Sequence, residues 1–355
     1  MSNRSVTNVV SSTQRRGAEM FAADLAADLG RRGIATDVVA LTAGDDGAPL
    51  PFPVLGRRAL DPSTLRALRR ASDSAGAVVA HGSRTLPACG LALVASGVPF
   101  VYRSIGDPAV WSAALARRVR TAALLRRARL VTVLWTGAAD VLTRERALPP
   151  GRIRVVPNGV DAARCPVPDA FDRLLARERF RLPADAPVLA YLGSLTGEKQ
   201  VDAVITAVAR IPGAFLLVAG SGPERAGLQT LAAREARSRV HFVGTVAEPA
   251  SAYAAADAVI LASRTEGMPG VLIEAALSGL PAVAFDVGAV AEVVADGETG
   301  VVVPPGDVPA LAAGARRVLG DAVAMGAAAR RRCLDRFEIG VVGAQWAEVL
   351  AEVMR

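Results

Sequence analysis

The sequence contains few residues of three types that often carry chemistry. Its 355 residues include three cysteines, two histidines and a single lysine, Lys199. Cys89, Cys165 and Cys333 are odd in number and far apart, so they form neither a disulfide framework nor a zinc-ligand spacing. We therefore expect a reducing, cytoplasmic setting.

Long apolar runs are also absent. Hydrophobic residues make up 52% of the chain, but Arg, Gly and Pro interrupt them before any run could span a bilayer. Residues 1–10 lead directly into a strand-like pattern, so a signal peptide is not expected. The net charge of +7 comes almost entirely from arginine, which indicates genomic composition rather than nucleic-acid binding. No nucleic-acid partner is predicted.

Against this arginine background, Lys199 has two interpretations. It is either a chance codon or the mark of a site that needs a compact ammonium on a flexible stem instead of a planar guanidinium.

The most informative stretch is residues 263–274, Ser-Arg-Thr-Glu-Gly-Met-Pro-Gly-Val-Leu-Ile-Glu. It follows a strand-like run and leads into a helical pattern, whose first N–H groups suit phosphate or sugar oxygens. Glu266 lies in the loop, and Glu274 lies one turn into the helix on the same face as Gly270. Spacing alone gives equal weight to the alternative that Glu266 caps the helix and Glu274 is solvated.

Several ordered motifs resolve much of this ambiguity. The two glutamates match an E-x7-E signature, and the chain resembles the retaining glycosyltransferases of family 4. The resemblance covers nearly the whole chain and is clearest in the C-terminal half. The further motifs that carry it are residues 191–195 (Tyr-Leu-Gly-Ser-Leu), 198–199 (Glu-Lys), 219–225, 242–244, 288–292 and 296–300.

This resemblance implies an α/β fold of the GT-B type, with two Rossmann-like domains whose parallel sheets face each other across a cleft. It also implies transfer of a sugar, with retention, from a UDP- or GDP-sugar to a hydroxyl acceptor, without a required metal or cofactor. In the family, Lys199 would meet the leaving diphosphate, Glu274 the ribose hydroxyls and Glu266 the donor sugar. The predicted donor-binding residues are Gly193, Ser194, Lys199, Glu266, Gly267, Met268, Pro269, Gly270, Val271 and Glu274.

Two positions depart from the family pattern. Ser194 stands where an arginine is usual, so we expect weaker donor binding or a neighbour such as Arg16 to complete the diphosphate clamp. Ile105 stands where many relatives carry a histidine, and His81, Arg103 and Asp107 are candidates to replace it.

The predicted catalytic set is Glu266, Lys199 and His81. His81 follows a strand-like run, and the sequence weighs a site contact and an ordinary loop histidine equally, whereas His241 lies in a strand pattern and is expected to be structural. The turn at residues 13–19 resembles a Gly-Gly-Ala-Glu loop in which Arg16 replaces the first glycine. The predicted acceptor or cleft residues are Arg16, Gly17, Arg103 and Asp107.

Alternation of strand and helix patterns predicts an N-terminal domain (1–164), a linker (165–186), a second domain (187–335) and a final helical segment (336–355). The resemblance implies that the first domain is the acceptor side, that the second binds the nucleotide sugar, and that the final helix packs back on the first domain. The arginine-rich helix predicted over residues 110–129 is interpreted as a core-facing helix with a solvated basic face, in preference to a contact with an anionic membrane. The acceptor, small or lipid-linked, stays open, and so does a location at the inner face of the membrane.

Rival functions stay open as well. One is a catalytically silent subunit that binds a nucleotide sugar, and another is a pseudo-glycosyltransferase that couples a cyclitol nucleotide to an amine or alcohol. A GT-B epimerase is disfavoured, because the E-x7-E pattern belongs to transferases.

Overall fold

The computed structural model describes residues 5–44, 49–94, 96–110, 115–146 and 148–355. The chain divides into two compact units. Unit 1 comprises Met1–Gly159 and Ile339–Arg355, and unit 2 comprises Val160–Glu338.

Twelve strands and fourteen α-helices alternate along the described residues. The strands are β1 (Ser5–Ser12), β2 (Ala35–Thr42), β3 (Ala77–His81), β4 (Phe100–Arg103), β5 (Leu130–Val133), β6 (Ile153–Val155), β7 (Val188–Leu192), β8 (Phe215–Ala219), β9 (Val240–Gly244), β10 (Ala258–Leu261), β11 (Ala282–Phe285) and β12 (Gly300–Val303). The helices are α1 (Gly17–Arg31), α2 (Pro62–Ser72), α3 (Thr85–Ala92), α4 (Leu115–Arg127), α5 (Thr136–Arg146), α6 (Ala170–Arg179), α7 (Val201–Ala209), α8 (Arg225–Glu235), α9 (Pro249–Ala255), α10 (Gly270–Leu277), α11 (Val290–Val293), α12 (Val308–Gly320), α13 (Ala322–Phe337) and α14 (Ile339–Val353).

Each unit contains one six-stranded parallel sheet, because each strand returns to the sheet through a helical crossover. The strand order is β2-β1-β3-β4-β5-β6 in unit 1 and β12-β11-β10-β7-β8-β9 in unit 2. The chain therefore reverses direction across the sheet between β1 and β3 in unit 1, and between β7 and β10 in unit 2. Open α/β sheets bind ligands outside the carboxyl ends of the strands at such switch points.

Helix α14 completes the core of unit 1. Its Trp346 is fully buried in one cluster with Phe21 of α1 and Val79 of β3. Arg32 donates to the carbonyl oxygen of Gly340, which joins the end of α1 to the start of α14. The last helix of the chain is thus an integral part of the first unit.

The segment 165–186, predicted as a linker, contains α6 and belongs to unit 2. Its organising residue is Arg177, which is 2% exposed. The guanidinium donates to the carboxylate of Asp257 and to several carbonyl oxygens, those of Ala255, Pro183, Ala184 and Ala186. These bonds hold the segment against the sheet. Because the segment is polar and contains proline, its sequence predicted a linker instead.

Other boundaries differ by a few residues from those predicted. Helices α3 and α9 were not predicted, and the helix expected over residues 110–129 is α4 with a short 3₁₀ turn at Pro108–Val110. The sequence also predicts Trp111 as an apolar position of this helix, but that residue lies outside the described residues. Among the described helices, none combines the length and apolar character needed to cross a membrane.

Candidate functional site

The switch point of unit 2 brings two sequence motifs together. The loop after β7 contains Lys199, and the loop after β10 contains Glu266 and leads into α10. Because β7 and β10 are hydrogen-bonded neighbours, both loops leave the same edge of the sheet side by side. The N–H of Arg264 donates to the carbonyl oxygen of Glu198 at 2.8 Å and ties the two loops directly.

Close backbone contacts shape the loop at residues 193–199. The Tyr191 hydroxyl donates to the carbonyl oxygen of Ser194 at 2.8 Å, and the N–H of Leu195 donates to that of Ser221 at 2.9 Å. A Cβ atom on Gly220 would lie 1.8 Å from the carbonyl oxygen of Gly193. Only glycine at position 220 permits this approach, so the loops after β7 and β8 form one surface.

Lys199 and Glu266 form the charged centre of the site. Lys199 Nζ donates to Glu266 Oε1 at 2.6 Å, and Ser263 Oγ donates to the same oxygen at 2.6 Å. The lysine side chain is 22% exposed and the glutamate side chain 11% exposed. Both groups are therefore held in place and reachable from solvent.

The helix that follows begins without a side-chain cap. Pro269 occupies the N-cap position of α10 and supplies no capping hydrogen bond. The first amides of a helix lack intrahelical partners, and the helix dipole adds positive potential there. The start of α10 is consequently suited to oxygens of a phosphate or a sugar.

Glu274 lies on α10 in a different environment from Glu266. Tyr253 of α9 donates its hydroxyl to Glu274 Oε2 at 2.7 Å. Burial raises the pKa of Glu274, and the Tyr253 hydrogen bond and the nearby charge of Arg164 oppose that shift. The sequence left open that Glu274 is solvated, and this hydrogen-bonded carboxylate does not fit that alternative.

The loop after β11 contacts the Glu266 loop. The N–H of Ala289 donates to the carbonyl oxygen of Gly267 at 2.8 Å. Gly288 has a φ of +56°, and a Cβ atom there would lie 1.9 Å from the carbonyl oxygen of Glu266. This contact gives the motif at residues 288–292 a structural role.

The remaining predicted donor residues fall on the same loops. Met268 is 6% exposed and fills space beneath the loop, whereas Ser194 is exposed. Gly193, Gly267, Gly270 and Val271 are half-buried, and Pro269 is buried. Unit 2 therefore brings the whole predicted donor set to one sheet edge.

Three residues of this site were not singled out from the sequence. Ser263 and Tyr253 orient the two glutamates, and Gln200, directly after Lys199, adopts a left-handed conformation with a φ of +44°. Such a conformation is costly for a residue other than glycine and persists only where the surrounding structure holds it. Ser263 lies three residues from Glu266, a local signal, but nothing in the sequence near Tyr253 points to Glu274.

The predicted residues of unit 1 divide into buried and accessible groups. His81 and Arg103 are each 1% exposed. The Nε2 atom of His81 lies 2.9 Å from Asn8 Oδ1, while Arg103 donates to Asn158 at 2.9 Å and stacks on the Phe21 ring at 3.6 Å. The structure thus corrects the expected access: both are core groups that a substrate cannot reach in this arrangement.

Burial also lowers the pKa of His81 well below 6.5, and the charge of Arg103 adds to the effect. The same burial lowers the pKa of Arg103 to about 9. His81 is therefore neutral and its Nε2–H donates to Asn8, which does not suit a general base facing substrate. The other histidine, His241, donates from Nδ1 to the carbonyl oxygen of Phe180 at 3.2 Å.

The other unit 1 candidates are more accessible. Arg16 and Gly17 are exposed at the start of α1, and half-buried Asp107 accepts from the N–H of Ala109 at 2.9 Å. Ile105 lies against Gly82, where an added Cβ would come within 2.9 Å of its Cδ1 atom. The isoleucine therefore fills the space next to the end of β3 with apolar atoms.

The described residues contain no group of three or more His, Cys, Asp or Glu side chains positioned to hold a metal ion.

Comparisons with known proteins identify related families. The family described as "Glycosyl transferases group 1" matches residues 186–321, and "Glycosyltransferase Family 4" matches residues 15–164. A GDP-mannose-dependent alpha-(1-6)-phosphatidylinositol monomannoside mannosyltransferase of Mycolicibacterium smegmatis is 36% identical over 222 residues, which are 57% of each chain. A glycogen synthase of Mycobacterium tuberculosis is 36% identical over 213 residues, 57% of this chain and 49% of the relative. The chain thus spans about half the length of these curated relatives.

Structural similarity extends over both units. HepE of Anabaena, solved in complex with UDP-glucose, superposes with a TM-score of 0.86 at 21% identity, covering 98% of this chain and 99% of that one. This likeness concerns the fold and confirms the predicted GT-B class. With its two family matches and two Rossmann-like parallel sheets, the chain belongs to the glycosyltransferases of the group 1 and family 4 type.

Proposed function

We propose that this protein transfers a sugar, with retention at the anomeric carbon, from a nucleotide diphosphate sugar to a hydroxyl acceptor. The observation that carries the proposal is the shared site of Lys199 and Glu266 at the uncapped start of α10. This arrangement combines a point positive charge, backbone N–H donors and a sugar-orienting carboxylate within one surface.

Lys199 is the group suited to stabilise the leaving diphosphate. Its ammonium has three N–H donors, and Glu266 accepts one of them. The others are available to phosphate oxygens, while the amides of α10 approach from the second loop. Preorganised donors of this kind stabilise negative charge as it develops in the transition state.

The carboxylates have separate roles in this scheme. Glu274, oriented by Tyr253, accepts hydrogen bonds from ribose hydroxyls, and Glu266, held by Ser263, orients the donor sugar. The bond from the anomeric carbon to the phosphate oxygen breaks, and the acceptor oxygen bonds to that carbon on the same face. The acceptor proton passes to the departing phosphate oxygen, and no metal is required in this step. A covalent glycosyl adduct trapped on Glu266 would instead establish double displacement.

UDP- and GDP-sugars are the donor classes that the comparisons support. The mannosyltransferase relative is GDP-mannose-dependent, and the Anabaena neighbour was solved with UDP-glucose. We extend to this chain only the shared element, a nucleoside diphosphate linked to a hexose. The acceptor is a small molecule or a lipid-linked molecule.

A panel of UDP- and GDP-sugars tests the proposal. Nucleoside diphosphate release would be measured with and without candidate hydroxyl acceptors for wild type, Glu266→Gln and Glu348→Gln. Glu348 is an exposed glutamate of unit 1 and serves as the control. We expect release with at least one donor, its loss in Glu266→Gln and wild-type release in Glu348→Gln. Absence of both binding and release across the panel would contradict the proposed function.

A silent donor-binding subunit is the second candidate, and Ser194 favours it. The exposed serine provides no guanidinium for the diphosphate, and Ile105 provides no polar group in place of the usual histidine. Binding of a nucleotide sugar without release of its diphosphate under any acceptor condition would select this alternative.

A further inference from the structure

Helix α6 of unit 2 presents an exposed apolar surface. Val167, Phe171, Leu174 and Leu175, which we call the α6 surface, have exposed fractions of 53%, 65%, 53% and 47%. Four large apolar side chains are thus exposed within nine residues, three of them on α6 and Val167 just before it. Surfaces of this kind mark interaction sites in soluble proteins.

A groove lies beside this surface, between α6 and α9. It has a volume of about 270 Å³, and its lining includes Pro168, Leu175, Ala176, Ala250 and Ala254. The same helix therefore carries a protruding aromatic side chain, Phe171, and an apolar concavity. On the helix, Phe171 lies about a quarter turn from the groove-lining side, next to Leu175.

The charges of α6 identify the matching surface as another α6. Asp172 and Arg179 both contribute to the groove lining and both are exposed. They are seven residues apart, about two helical turns, so they lie on one side of the helix. Their midpoint falls between Leu175 and Ala176. Across a two-fold axis at that point, an antiparallel pair of helices sets each aspartate opposite the partner's arginine, whereas a parallel pair sets like charges together.

We propose that the α6 surface binds a second copy of this chain in a two-fold symmetric dimer. Phe171 and Leu175 of each copy pack against the partner's α6, and Asp172 of each copy pairs with the partner's Arg179. Such an interface is self-complementary and closes on itself. Because a ten-residue helix is only about 15 Å long, the contact area is small and the dimer is weak, with a dissociation constant in the micromolar range.

Sedimentation velocity of the full chain from about 1 to about 100 µM tests the dimer. Wild type shows a concentration-dependent monomer–dimer equilibrium. Phe171→Asp weakens association at least about tenfold, because it places a charge in the apolar contact between the two helices. Val323→Asp is the matched control, since Val323 of α13 is 89% exposed and lies outside the α6 surface. Its association equals that of wild type.

A charge exchange tests the antiparallel geometry. Asp172→Arg and Arg179→Asp each set two like-charge pairs across the axis, so each variant alone is monomeric. An equimolar mixture of the two restores opposite charges at both positions and recovers the dimer. Asp172 also accepts from the N–H of Asp169 in a capping box, so circular dichroism of each variant checks that α6 stays folded. Recovery in the mixture cannot arise from a lost cap.

Three outcomes overturn the proposal. A wild type that stays monomeric at the highest concentration overturns it. Association that is equally strong in wild type and Phe171→Asp also overturns it. A mixture that fails to recover contradicts the antiparallel pairing. Binding of a monomeric wild type to anionic vesicles that is lost in Phe171→Asp would assign the surface to a membrane instead. The interface residues are separate from Lys199, Glu266 and Glu274, so none of these results bears on sugar transfer.

Discussion

Both sheets place polar side chains at their switch points, but the two sets end in opposite environments. In unit 2, Lys199 and Glu266 are partly exposed and pair with each other. In unit 1, His81 and Arg103 are 1% exposed. His81 Nδ1 and Arg103 Nε and Nη1 have no hydrogen-bond partner among the described residues. A position at the carboxyl edge of a parallel sheet therefore attracts polar residues without by itself making a binding site.

The covering elements explain the difference. The His81 ring packs in a triangle with Phe21 of α1 and Trp346 of α14, whose ring centroids lie 6.0 and 6.4 Å from it and 6.4 Å from each other. No comparable aromatic pair covers Lys199 in the described part of unit 2. The final helix therefore covers the carboxyl edge of the unit 1 sheet near His81. The corresponding edge of the unit 2 sheet, beside Lys199, is accessible.

Replacing one cation in each unit gives the largest expected contrast. We expect Lys199→Met to lower nucleoside diphosphate release by about 10²- to 10³-fold, because the leaving charge loses its main cation. Arg103→Met, a matched change at a buried cation, should leave release within about threefold of wild type, because Arg103 is 1% exposed and does not reach the substrate. An equal loss of release in both variants would show that Arg103 acts on the substrate.

The carboxylate and its tyrosine are expected to affect nucleotide affinity less strongly. Glu274→Gln should weaken nucleoside diphosphate binding about tenfold or more, and Tyr253→Phe about fivefold, since one hydrogen bond to a charged group and one orienting bond are lost. Calorimetric titration measures both. Tyr102→Phe is the control, because Tyr102 is an equally buried tyrosine of unit 1. Wild-type affinity in Glu274→Gln would refute the ribose assignment.

Acidification should weaken nucleotide binding through Glu274. Burial raises its pKa, so this carboxylate is protonated at a higher pH than an exposed glutamate. As the pH falls from about 7 toward 4, the wild type loses an ionised acceptor, while Glu274→Gln has none to lose. We therefore expect the affinity ratio of wild type to variant to fall on acidification. A ratio that stays constant over this range would contradict the role of the ionised carboxylate.

The smallest effect concerns the stability of unit 1. Burial lowers the pKa of folded His81 below its unfolded value of about 6.5, so the unfolded chain binds more protons between these two values. The stability that neutral His81 contributes is present above about pH 6.5 and is lost as the pH falls below that value. Thermal unfolding midpoints measured from about pH 7 to 5 should fall more steeply for wild type than for His81→Gln. Parallel curves would show that His81 is solvated.

The sequence predicts the strands of both sheets well because valine- and leucine-rich runs are buried on two faces and bounded by glycine or proline. The donor site stays a prediction that rests on the family motifs around Lys199 and Glu266, and the structure places both residues in loops at the same sheet edge. The solvent exposure of a side chain cannot be predicted in the same way. Whether His81 faces solvent depends on Trp346, which lies 265 residues away in the sequence and reaches it only after folding.

Helix α6 illustrates a second limit of sequence reasoning. Pro166 and Pro168 and a high density of charge suggest a linker, yet Asp169 and Asp172 form a capping box and Arg177 turns inward. Only the tertiary partners of Arg177 show that this arginine binds carbonyl oxygens instead of water.

The partly exposed ammonium of Lys199 has a practical consequence. It is the single side-chain amine in the sequence, so an amine-selective acylating reagent would modify one side chain in the folded protein, and that side chain lies in the proposed donor site. The rate of that modification becomes a direct readout of site occupancy. A nucleotide that slows the labelling reports its own binding, which would allow donors to be ranked before any acceptor is known.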